Sequence, residues 1–241
     1  MKKLGGFKKM VWISLGVLLI VSCEQPDGVT EFINTNDQAG FMSTTGNSDK
    51  IIDEAELETI SPLLHMSFDG DLSEEQASTK FNEAVAVYLT NNKSDNKGSG
   101  TELLYRIWNY TGTKKDNDTD GKVKAHVGFN TNKGEYYDIN VILDNEGDDR
   151  EGGWDYYLIK TNLPKEDVAW VELRNAFIQL QGQDGWYLKR YYLIILDSDQ
   201  VQFAVGASDI VSEAEVWLDN TCDLCWDTFS TGIIGEGRLN F

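Results

Sequence analysis

The segment Asp116-Asn117-Asp118-Thr119-Asp120-Gly121 alternates carboxylates with small polar residues and ends on glycine. Such spacing opens a calcium loop, because alternate carboxylates put hard oxygens on one side of a turn that glycine lets bend sharply. An EF-hand also needs a bidentate Glu at the twelfth position, and counted from Asp116 that position is Val127. A calcium ion here would therefore need ligands from elsewhere. Asp144, Asp148 and Asp149, with Glu151 beside them, form the second acidic turn that could supply them. The same residues are also good turn formers, since Asp and Asn make Asx-turns and tolerate left-handed backbone. Both readings stay open on sequence.

Other chemistry is sparse. Cys222 and Cys225 are spaced to close a small loop disulfide in an oxidising compartment. Free thiols and redox or metal chemistry are the alternatives. A thioredoxin-type reading needs a βαβ setting, whereas the surroundings read as strand and loop. A zinc site would need two more ligands, yet His65 and His126 are each isolated along the chain. Tyr157, Tyr187 and Tyr191, with Tyr156 and Tyr192 beside them, could form an aromatic platform for sugar rings. No G-x-S-x-G elbow, H-E-x-x-H helix or P-loop occurs, so the chain reads as non-catalytic.

The N-terminus reads as a targeting signal. Lys2, Lys3, Lys8 and Lys9 precede an apolar run from Val11 to Val21 that is too short to span a bilayer comfortably. The run ends Ser22-Cys23, and a small residue before cysteine resembles a bacterial lipobox. The expectation is a lipidated Cys23 and, with Glu24 following, an outer-membrane lipoprotein facing the periplasm or the cell surface. Cleavage removes four lysines and no acid, taking the formal charge from −19 to −23. Nucleic acid is excluded as a partner, because phosphate binding needs clustered Lys and Arg. Contact with anionic lipid would need a divalent cation or an apolar wedge.

These elements need a scaffold to position them. Residues 1–22 are read as signal peptide, 23–100 as a tether with one or two short helices, and 101–241 as the folded domain. One helix is expected around Asp53–Ile60. A second starts at the Ser73…Gln76 capping box and carries Ala77, Phe81, Ala84, Val85 and Tyr88 on one face. From Leu103 onward the pattern is β. Val123, Ala125, Val127 and Phe129 alternate with Lys122, Lys124 and His126. Tyr137, Ile139, Val141 and Leu143 alternate likewise, as do Val201, Phe203 and Val205. Trp154–Lys160 and Trp186–Leu196 are apolar on both faces, as central strands are, or as strands with one aromatic face open to a ligand.

Three phrases carry a family resemblance: Tyr105–Phe129, with its TG…TDG opening, Leu143–Tyr157, and Asp184–Leu196, where Asp-Gly-Trp opens a strand. Together they resemble a PLAT/LH2 domain across roughly residues 103–218. The resemblance implies an antiparallel β-sandwich that binds lipid, a membrane surface or a protein partner, in some members with calcium at one end. It also implies structural roles for Asp155, bonding turn amides, and for Trp186, plugging the core. PLAT domains usually position an attached catalytic domain, and the short polar N-terminal segment here reads as none. A stand-alone binding module is therefore expected, the alternative being a carbohydrate-binding lipoprotein of a glycan-uptake system.

Overall fold

The computed structural model describes residues 58–92, 103–144, 152–164, 166, 168–197, 209–219, 222, 224–232 and 235–241. The signal segment, Cys23, the Asp53 and Glu56 cap, Asp148, Asp149, Glu151 and the Val201–Val205 strand lie outside them.

The chain enters at Ile60, whose N–H bonds the Asn140 carbonyl at 2.9 Å and whose carbonyl accepts from Ile142 N–H at 3.0 Å. Residues 58–61 are therefore not helical. Strand β1 (Leu64–Asp69) follows, then helix α1 (Glu74–Asn92). The capping box forms as expected: Gln76 N–H donates to Ser73 Oγ and Ser73 N–H donates to Gln76 Oε1. Next come β2 (Leu103–Thr111), β3 (Lys122–Thr131), β4 (Gly134–Asp144), β5 (Gly153–Lys160), β6 (Trp170–Gln181) and β7 (Trp186–Asp197). Short strands β8 (Asp209–Ser212), β9 (Val216–Leu218), β10 (Trp226–Ser230) and β11 (Leu239–Asn240) complete the set.

Two antiparallel sheets pack face to face. One runs β1-β5-β2-β7-β8, with β9 also on β7, and the other runs β10-β6-β3-β4, with β11 on β6. Val123, Ala125, Val127 and Phe129 from one sheet meet Tyr105, Ile107, Tyr157, Tyr191 and Leu193 from the other. This is the expected β-sandwich. A second core lies on the outer face of the first sheet, where Ala77, Phe81, Val85 and Leu89 of α1 cover Leu104, Trp108, Trp154, Tyr156 and Leu158. Strands β2 and β5 thus bury both faces along nearly their whole length, Arg106, Asn109 and Asp155 included.

That arrangement corrects the boundary expected at residue 101. Part of the supposed tether is edge strand β1, paired with β5 from Leu64↔Leu158 to Asp69↔Gly153. α1 is equally tied down. Glu74 accepts from Trp108 Nε1 and from Arg190, which also donates to Glu213. Beneath the helix, buried Arg106 lies over the Trp108 ring at 4.1 Å and donates to Ser78 and Asn82. Burial there pushes the Arg106 guanidinium down to about 10.

One alternation also changes. Between Ala125 and Val127 the pairing with β4 steps from Val141 to Asp138, a bulge that adds a residue to β4. Val141 and Leu143 point inward as expected, but Asp138 is buried in place of Ile139, which is 38% exposed.

Candidate functional site

The 112–121 connection, the turn at Gly182–Gly185, the start of β5, Asp219 and the Cys222–Cys225 pair gather at one end of the sandwich, where β2 ends and β7 begins. Backbone bonds fix the first of these: Gly112 N–H donates to the Tyr187 carbonyl, and Tyr187 N–H donates to the Asn117 carbonyl. Thr119 Oγ donates to the Asp184 carbonyl at 3.1 Å, and Asp120 N–H donates to Asp184 Oδ2 at 3.2 Å. Asp116 takes a left-handed φ of 65°, the conformation for which Asp suits a turn.

These bonds to β7 and to the Asp184 turn hold the loop, while Asp116, Asp118 and Asp120 leave their side chains exposed. Asp144 ends β4 opposite Val123, at the same end of the fold. No group of three His, Cys, Asp or Glu side chains is gathered to hold a metal among the described residues. Asp148 and Asp149 lie outside those residues.

The aromatic platform is corrected. Tyr157 and Tyr191 are fully buried between the sheets, and Tyr191 OH donates to the Phe177 carbonyl, so neither ring can present a face to a ligand. Burial pushes the Tyr191 phenol well above its ordinary range. Tyr187 alone of the three is partly open. The cause is a register shift between Tyr110↔Arg190 and Thr111↔Leu188. The extra residue in β7 reverses its facing, so Trp186 and Leu188 point inward and Tyr187 points outward. Trp186 is fully buried and donates Nε1–H to Thr111 Oγ at 2.9 Å, filling the end of the core.

Outside, Tyr187 meets Trp217 of β9 with ring centroids 5.2 Å apart. Trp217 is 46% exposed, a residue that its three-residue strand gave no periodic signal to single out. Beyond it, Cys222 and Cys225 are joined in a disulfide. The small loop they close carries Leu224, 82% exposed, whose carbonyl accepts from Gln181 Nε2 at 3.0 Å. Trp226 follows, with Lys124 Nζ 3.9 Å from its ring centroid. Two large apolar side chains are thus displayed beside acidic turns.

Asp155 stands opposite Ser67 in the pairing of β1 with β5. It sits on the flank between β5 and β1, where Ser67 Oγ donates to its Oδ1 at 2.6 Å and His65 Nε2 lies 3.4 Å away. Isolation of His65 in sequence concealed this cluster. It is not wired as a proton relay, because the same His65 nitrogen faces both Ser67 and Asp155.

No protein-family model and no curated protein matches the chain. Among solved structures it is similar to a lipoxygenase variant, at 14% identity over 55% of this chain and 16% of that one, TM-score 0.34. It is also similar to the alpha-toxin of Clostridium perfringens, at 17% identity over 60% of this chain and 35% of that one, TM-score 0.34. Coral 8R-lipoxygenase, described as activated by calcium through a C2-like domain, matches at 15% identity over 55% of this chain and 17% of that one, TM-score 0.33. The chain spans well under two thirds of each of these proteins. These likenesses are distant, and the sandwich assignment rests on the strand order and pairing given above.

Proposed function

We propose that the protein is a non-catalytic binding module, tethered to the outer membrane through a lipidated Cys23, that docks on a lipid or membrane surface by the loop-bearing end of its sandwich. The carrying observation is the display of Trp217 and Leu224 at that end. A leucine moved from water into an apolar layer gains roughly 1.5–3 kcal/mol, and tryptophan suits the membrane–water interface. The surrounding acids disfavour direct approach to anionic headgroups. Calcium bridging Asp116, Asp118, Asp120 and the turn that begins at Asp144 would relieve that repulsion.

Vesicle co-sedimentation tests the proposal, with and without calcium, on neutral and anionic vesicles. Leu224→Ser with Trp217→Ala should reduce binding at least severalfold while leaving the melting temperature unchanged. Binding indifferent to both changes would remove this end as the docking surface. Calcium calorimetry with Asp116→Asn/Asp118→Asn as control addresses the metal separately: saturable heat lost in the control supports a bridge, and no heat at millimolar calcium removes it.

The exposed Tyr187–Trp217 pair favours one second reading, a saccharide stacked on those rings. Glycan binding lost in Trp217→Ala but kept in Leu224→Ser would support it over the lipid reading.

A further inference from the structure

Trp217 and Tyr187 stand directly opposite each other in the pairing of β9 with β7. Leu218 is buried, so Trp217 and Asp219, two residues apart, project together to the outer side. A Cβ built on Gly185 would lie 3.7 Å from Trp217 Cε3 and 3.4 Å from Asp219 Cβ, so both side chains rest on the turn that opens β7. Gly112 supports Tyr187 in the same way, its Cβ position lying 2.7 Å from Tyr187 Cδ1. Backed by these glycines, the two rings form an aromatic corner, with centroids 5.2 Å apart and planes inclined by 43°.

The face of an indole or phenol ring is negative and attracts cations. Other tryptophans outside the inter-sheet core take that cation from their own chain. Arg106 lies 4.1 Å from the Trp108 ring centroid, Arg190 5.7 Å from Trp154, Arg238 3.6 Å from Trp170 and Lys124 3.9 Å from Trp226. Among the described residues no Lys or Arg covers Trp217 or Tyr187. The charged groups facing the corner are the exposed carboxylates of Asp219 and Glu215, together with Lys189, whose Nζ lies 5.7 Å from the Tyr110 ring centroid. We propose that the Tyr187–Trp217 corner, with Asp219 beside it, binds the organic ammonium group of a zwitterionic phospholipid headgroup. The site deepens the membrane-docking reading and rests on it. A quaternary ammonium suits the corner because its methyl groups pack on the rings while its charge meets the ring faces and a carboxylate. Calcium does not, since it takes hard oxygen ligands and gains nothing from a ring. Acids that disfavour anionic headgroups favour this one, so docking on a zwitterionic surface would need no metal.

The test is an NMR titration of the full lipidated chain in a maltoside detergent, which carries no ammonium. The reporter is the indole N–H signal of Trp217, identified by its loss in Trp217→Leu. Tetramethylammonium chloride and phosphocholine are the probes, with sodium chloride and glycerol phosphate as controls for ionic strength and for the phosphate. Saturable shifts are expected with both probes and with neither control. Asp219→Asn and Tyr187→Leu should each weaken binding by roughly threefold or more, and Glu83→Gln on α1 should leave it unchanged. No saturable shift with tetramethylammonium, equal shifts with sodium chloride, or binding indifferent to Asp219→Asn overturns the site. Asp219 is exposed, so its replacement decides the matter even if Tyr187→Leu fails to fold. Those results leave the docking reading to the Leu224→Ser vesicle experiment, so the two can fail separately.

Discussion

Asp138 is a carboxyl buried between the sheets, beside Thr161, the Asn162 amide and Tyr105. Desolvation raises its pKa from 3.8 to about 6, outweighing the hydrogen bonds that lower it. Between those values the folded chain keeps a proton that the unfolded chain has lost, so stability falls as pH rises through the window and levels off above it. Two units correspond to about 3 kcal/mol. Urea denaturation at pH 4 and pH 7.5 should show Asp138→Asn free of that decline; an unchanged pH slope would count against the assignment. Glycine at position 153 is required for a different reason. Its φ is +151°, and an added Cβ would lie 2.2 Å from the Phe68 carbonyl oxygen. Gly153→Ala should therefore cost several kcal/mol or prevent folding, read as lost cooperative melting. Trp186→Phe should cost about 1–3 kcal/mol, because Thr111 Oγ loses its buried donor.

At the scale of elements, α1 is part of the fold. Phe81 is fully buried and lies 5.2 Å from the Tyr156 ring. Phe81→Ala should cost about 3–5 kcal/mol, and Ser73→Ala about 1 kcal/mol through the lost cap. Deleting residues 24–100 would remove β1 and α1 together and bare Trp108, Trp154 and Tyr156 to water. The truncated chain should fail to melt cooperatively. A sharp transition near that of the full chain would show that the sandwich is self-sufficient. The cue that places β1 in the sandwich is non-local. LHMSFD has a strand's alternation, but the short segment becomes β1 only through β5, some ninety residues later in the chain.

For the whole molecule, local chemistry written in the sequence reached the finished fold wherever the determining contacts are close in the chain. The Ser73…Gln76 cap, the alternation of β3 and the Cys222–Cys225 closure each depend on residues a few positions apart. Hydrophobic pattern likewise implied two packed sheets, because strands apolar on both faces must be covered on both sides. What tertiary structure alone decided is which side chains face out. Facing along a strand has period two, so one extra residue at a bulge reverses everything beyond it. Bulges in β4 and β7 buried Asp138 and turned Tyr187 outward, while Tyr157 and Tyr191 went into the core. The gathering of Trp217 with Tyr187, and of His65 and Ser67 with Asp155, depends on strand register across long stretches of chain. Composition and spacing named Tyr187 and the acids of the loops; the pairing of strands added Trp217 and determined which side chains meet and which remain open to a ligand.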